Sequence, residues 1–193
     1  MTQDTKFKIT SKTIHLFALL GYEGVSMRTL AEAVGIAPSV LYHYYADKDL
    51  LLKAVFDETN LTLGAARAKL HKPLSAKTML KQRIIFQIDH AEEIVFVLKY
   101  FLANRRHYKK FHSGYVPDKT TKHIEEVLHY GQQTGEFVID DIALDAKVVT
   151  HAINGFILEY YPAKLKGKEK EALVNLIYNF LLRALAKGGE KYV

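Results

Sequence analysis

Three tyrosines and a histidine occupy four consecutive positions, Tyr42, His43, Tyr44 and Tyr45, within the stretch VLYHYYADKDLL at residues 40–51. Phenol and imidazole groups donate or accept hydrogen bonds, and their ring edges offer apolar contact. Lys48 follows shortly after with a positive charge on a flexible stem. Such a set suits recognition of an anionic, hydrogen-bonding surface more than it suits covalent chemistry. Other chemistry has few footholds. The chain has no cysteine, which excludes thiol catalysis, disulfides and thiolate metal sites. It has no G-x-S-x-G, no glycine-rich phosphate loop and no paired carboxylates in an evident pocket. His107/His112 and His123/His129 are not at the i,i+4 spacing that sets two imidazoles on one helix face. We therefore expect no enzyme activity, no metal site and no cofactor.

The elements that position the aromatic cluster are helical. Apolar periodicity predicts helices over 5–20, 27–34, 38–45, 47–70, 75–102, 117–134, 140–161 and 168–187, with a break of the fifth into two near DHAEE as the alternative. Prolines stand only at 38, 73, 117 and 162, where the periodic segments change over, and EFVID is too short to establish a strand. In the first helix Ile9, Thr13, Leu16, Phe17 and Leu20 form one buried stripe. Ser26 is the expected N-cap of MRTLAEAVG, whose inner face is Leu30, Ala31 and Val34, and Gly35 ends that helix. Pro38 starts the next at its first position, where a missing N–H costs nothing. The pair forms a helix-turn-helix. Leu41 and Tyr45 share the inner face, so Tyr45 is expected in the core. Ser39, Tyr42 and His43 lie opposite, flanked by Val40 and Tyr44. Displayed polar aromatics fit a major groove edge, the alternative being packing on a neighbouring helix. Asp47 caps the following helix and Asp49 suits its dipole, whereas Lys48 at that positive end is best explained by an outside anion such as a DNA phosphate.

Within residues 6–56 the chain, above all in its run LFALLGYEGVSMRTLAEAVGIAPSVLYHYYADKDLLLKAVF at 16–56, resembles the TetR family of bacterial transcriptional regulators. The resemblance rests on the phenylalanine in the first helix, GY, S-x-R-x-L-A, G-I, the LYxY motif and K-D-x-L. It implies an all-α fold, with an N-terminal three-helix helix-turn-helix domain followed by a larger helical ligand-binding and dimerisation domain. It also implies DNA contacts from Ser26, Arg28, Pro38, Ser39, Val40, Tyr42, His43, Tyr44 and Lys48. Three departures stand out: Ala37 replaces a frequent capping serine, Lys12 and Thr13 replace small residues, and Tyr45 replaces the common phenylalanine. The expected division is 1–46 for DNA binding, 47–70 for a connecting helix, and 71–193 for effector binding and dimerisation.

In the larger part, residues 140–161 and 168–187 each carry two apolar stripes, more than one core contact uses. The resemblance places a two-fold dimer interface on these helices, and Val149, Ile153, Phe156, Tyr160, Ile177, Phe180 and Leu181 are the expected contacts. The alternative is a fully internal helix pair. The aromatic central segment, with Phe86, His90, Phe96, Tyr100, Phe101 and His129, is where the resemblance implies an effector pocket, although each residue alone also reads as ordinary core. NRRHYKKFH places like charges at i,i+4 in Arg105–Lys109 and Arg106–Lys110. An anionic ligand or a solvated bend relieves that repulsion.

The net charge of +6 does not by itself mark a nucleic-acid face. Residues 1–60 are slightly acidic, and the excess of positive charge sits in 61–122. No signal peptide or bilayer-spanning run is evident, so a cytoplasmic location without membrane partners is expected. The expected partners are double-stranded operator DNA, a second copy of the chain and a small-molecule effector. The expected role is a homodimeric repressor released from a palindromic operator. Its alternatives are an activator, a regulator without a ligand, or an all-helical carrier or enzyme with a vestigial DNA domain.

Overall fold

The computed structural model describes residues 3–70, 75–103 and 118–186, and among them the regular secondary structure is all helix. The helices are α1 (Gln3–Leu20), α2 (Met27–Val34), α3 (Pro38–Tyr44), α4 (Lys48–Ala68), α5 (Ala76–Asp89), α6 (Ala91–Ala103), α7 (Asp118–Gln133), α8 (Ile142–Tyr160) and α9 (Gly167–Ala186). The basic run Arg105–Lys110, with Tyr108, His107 and His112, lies outside the described residues. The 75–102 segment is two helices, α5 and α6, separated at His90.

The chain forms two compact units, one of residues 1–69 and 90–113, the other of 70–89 and 114–193. The first gathers α1, α2, α3, α4 and α6 around Ile9, Phe17, Leu30, Leu41, Leu52, Phe56 and Phe96, all buried. The expected stripe of α1 holds for Ile9, Thr13 and Phe17, but Leu20 in its last turn is exposed. That turn has no basic residue of its own. Lys99 of α6 supplies one, donating from Nζ to the carbonyls of Ala18 at 2.5 Å and Leu19 at 3.2 Å. His15 Nδ1 and Glu92 Oε1, 2.7 Å apart, form a second link between α1 and α6.

The second unit is a four-helix assembly of α5, α7, α8 and α9. The connector at residues 134–141 fixes its directions. Glu136 accepts hydrogen bonds from Ser75 Oγ (2.7 Å), Ala76 N (2.8 Å) and Lys77 N (3.2 Å), so a remote carboxylate caps the start of α5. Two residues later Val138 N donates to Leu185 O at 2.9 Å, satisfying a carbonyl in the last turn of α9. One short connector therefore serves one end of α5 and the opposite end of α9. The start of α8 lies beside the start of α5, so these two helices run parallel, and α7 and α9 run antiparallel to α5. Lys170 near the start of α9 pairs with Asp89 at the end of α5, as this arrangement requires. Phe137 of the connector lies so close to Gly131 that a Cβ there would sit 2.1 Å from its ring.

Candidate nucleic-acid interface

The helix-turn-helix is built by local devices. Ser26 caps α2 in a reciprocal box, its hydroxyl accepting from Thr29 N at 3.1 Å while Ser26 N donates to Thr29 Oγ1 at 2.9 Å. Gly35 adopts φ 79°, and its N–H bonds back to Ala31 O and Glu32 O, ending α2 in a left-handed turn that a glycine takes without strain. Ala37 offers no side-chain cap, and Pro38 sets the entry to α3. Leu41 is the buried residue of α3, at 0% exposure. Pro38, Ser39, Val40, Tyr42, His43 and Tyr44 are all exposed, together with Ser26 and Arg28 on α2. His43 and Tyr44 meet edge to face with ring centroids 5.1 Å apart. Arg28 Nε rests on Glu32 Oε1 at 3.0 Å, an exposed pair that a stronger anion displaces at little cost.

Two residues differ from the expectation. Tyr45 is half-buried instead of core, because α3 ends at Tyr44 and Tyr45 leaves the helix at φ −136°. A side chain expected one turn beyond Leu41 is thus redirected. Its phenol is shifted upward by desolvation, Glu58 adding to the shift and Lys6 opposing it.

Lys48 makes bonds inside the unit. Its Nζ donates to the carbonyls of Tyr22 (3.0 Å) and Val25 (3.1 Å) and sits 3.7 Å from the centroid of the Tyr22 ring. Beside it the Tyr22 hydroxyl donates to Asp49 Oδ1 at 2.5 Å. Burial, then that bond and the surrounding carboxylates, holds the Tyr22 proton well above the usual phenol range. These contacts clasp the start of α4 to the loop between α1 and α2. The two carbonyls also answer the question of why a lysine sits at a positive helix end.

The residues expected around an effector are divided between the units. Phe96 and Tyr100 are buried in the first. Phe96 meets Phe17 edge-on, with centroids 6.4 Å apart, and Tyr100 stacks on Phe56 at 4.4 Å. Desolvation, then Asp57 and Asp49, pushes the Tyr100 phenol up to about 12. Phe101 is half-buried, and His90 Nδ1 lies 3.8 Å from Glu93 Oε1. In the second unit Phe86 is buried, and His129 is exposed on an open depression of about 410 Å³ with Lys122, Glu125, Glu126 and Ile142.

The residues expected at a dimer contact are also divided. Val149, Ile153, Ile177 and Leu181 are buried within the chain's own second unit, so their side chains are not available to a second copy. That is a correction, and its cause is that α8 and α9 turn these stripes toward their own bundle. Phe156 is half-buried, while Tyr160 and Phe180 are exposed, the latter at 53%. The apolar side chains facing outward are Leu144, Val148 and Leu158 on α8 and Leu176 and Phe180 on α9. Among the described residues no group of three or more metal-ligating side chains occurs, and no helix is long and apolar enough to cross a membrane.

A helix-turn-helix with an exposed polar second helix, joined to a larger helical region, is the architecture of a bacterial regulatory protein. The chain belongs to the TetR family. Residues 9–55 match the bacterial regulatory proteins of the tetR family, and residues 115–187 match the C-terminal region of QacR-like protein. Solved structures repeat the fold. The TetR-family transcriptional regulator PfmR from Thermus thermophilus is 22% identical, with TM-score 0.69, over 91% of this chain and 97% of its own. A tetR-family regulatory protein from Rhodococcus is 21% identical, with TM-score 0.71, over 95% and 98%. The fatty acid degradation regulator FadR from Bacillus halodurans is 18% identical, with TM-score 0.71, over the whole of both chains. No curated protein matches the sequence.

Proposed function

We propose that the protein is a homodimeric transcriptional repressor that holds a palindromic operator and leaves it when a small, mainly apolar effector binds. In this reading residues 1–46 read DNA, 47–70 connect, and 71–193 bind the effector and dimerise. The observation that carries it is the exposure of Ser39, Tyr42 and His43 on a helix anchored by the buried Leu41. A monomeric carrier has no use for that display. Two-fold pairing through the outward residues of α8 and α9 would set two such helices about 34–36 Å apart, one turn of DNA. Effector and operator then oppose each other reciprocally.

The test is selection of bound fragments from genomic DNA, followed by mobility shifts at two salt concentrations. A palindromic site is expected, with affinity falling steeply as salt rises. Tyr42→Phe and Arg28→Ala should each weaken that site by about 1–3 kcal/mol. Absence of any preferred sequence would remove the reading.

A further inference from the structure

The helix-turn-helix leaves the first unit and returns to it at nearly one point. After α1 the chain turns at Gly21, φ 71°, and enters α2 through Val25, the residue before the Ser26 cap. It comes back at Lys48, the first residue of α4, with only Tyr45, Ala46 and Asp47 after the end of α3. Lys48 Nζ donates to Val25 O at 3.1 Å and to Tyr22 O at 3.0 Å. One ammonium group therefore joins the entry of the motif to its exit, closing a loop that spans 23 positions.

An ammonium has three N–H donors and no acceptor. Two go to the carbonyls, and the face of the Tyr22 ring, its centroid 3.7 Å from Nζ, attracts the remaining positive edge. That ring is itself held in place. The buried Phe17 lies 6.3 Å from it between centroids, and its hydroxyl donates to Asp49 Oδ1 at 2.5 Å. Lys48 is half-buried, and Asp49, Glu23 and Asp47 all lie close enough to act on the Tyr22 hydroxyl. A phosphate reaching Lys48 would have to replace two carbonyls and a ring face, and would meet three carboxylates on the way. Arg28 stands in contrast, because its exposed pair with Glu32 leaves it open to an outside anion.

We infer that Lys48 is a positioning residue for DNA recognition and not a phosphate contact, and that Tyr22 and Asp49 share this role. Together they brace the loop before α2 against the start of α4. The brace holds Ser26 and Arg28 of α2 in fixed relation to Ser39, Tyr42 and His43 of α3. This departs from the contact role that the family resemblance implies for Lys48. It rests on the proposed function for its DNA readout alone.

The test titrates the full-length protein with an operator fragment and a scrambled fragment of equal length, over a range of salt. For Lys48→Met, operator affinity should fall about tenfold while scrambled affinity and the salt slope stay at wild-type values. A lost phosphate contact would instead weaken both fragments equally and lower the slope by about 1 per protomer. Tyr22→Leu should repeat the Lys48→Met pattern. The double variant should lose little more than either single one, in operator affinity and in melting temperature, because both changes open the same brace. Tyr22→Phe keeps the ring and should fold as wild type. Should Lys48→Met not fold, Tyr22→Phe decides: a loss confined to the operator supports the brace, and unchanged selectivity overturns it. Equal loss on both fragments with a lower slope, additive losses in the double variant, or wild-type operator affinity in both single variants would each overturn it as well. A wild-type protein that prefers neither fragment would sink the regulator and leave the brace to the melting temperatures, where a shared loss supports it and additive losses overturn it.

Discussion

Replacing Glu136 with glutamine should destabilise the protein at neutral pH, and the loss should fade in acid. The carboxylate accepts from Ser75, Ala76 and Lys77 and also from Thr134 Oγ1 at 3.2 Å. The Ser75 hydroxyl first, then the backbone N–H groups of Ala76 and Lys77 and the Thr134 hydroxyl, pull its pKa from an ordinary 4.5 to about 2, against a smaller opposing effect of burial. Taken at face value that displacement is worth about 3 kcal/mol. Glu136 is half-exposed, and the water that reaches it screens it, so a value of about 1–2 kcal/mol, typical of a helix cap, is expected. The folded pKa lies below the unfolded one. The stabilisation is therefore complete above pH 4.5 and is lost as pH falls toward about 2. Urea unfolding of wild type and Glu136→Gln at pH 7 and pH 3 measures both quantities. A gap near 1–2 kcal/mol at pH 7 that shrinks at pH 3 is expected. Equal stability at pH 7, or a gap unchanged by acid, would refute the reasoning.

Further expectations concern other contacts. Lys48→Met should lower stability by about 1–3 kcal/mol even without DNA, since it removes the charged donor held by Tyr22 and Val25; a melting temperature equal to wild type would return Lys48 to a purely external role. Gly131→Ala should cost about 1–3 kcal/mol by forcing Phe137 aside, and thermal melting checks it. Phe180→Glu should yield a folded monomer in light scattering, whereas Ile153→Glu should lose helical structure in circular dichroism. A dimer unchanged in Phe180→Glu would move the interface off this face of α9.

The helix-turn-helix was legible because each of its signals is local: Ser26 with Thr29, Gly35, Pro38 and Leu41 fall within one short stretch. Tyr45 was misplaced by a single residue of helix, since periodicity carries no mark of where a turn opens. The stripes of α8 and α9 were visible, but which stripe faces inward is decided by α5, distant in the chain. Hence Ile153 and Leu181 were taken for outward residues, and Leu144 and Val148 were not. Glu136 gave no signal at all, because a cap supplied from 60 residues away has no signature in sequence.

The connector at 134–141 also bears on which changes of length this chain tolerates. Loops between helices ordinarily accept insertions, because nothing measures their length. Here Gly131 sets the position of Phe137, Glu136 must reach α5, and Val138 must reach α9, all within seven or so residues. A single inserted residue cannot keep all three in register. The segment is a poor place for an epitope tag or a domain fusion, and relatives that vary in loop length should take up that variation elsewhere.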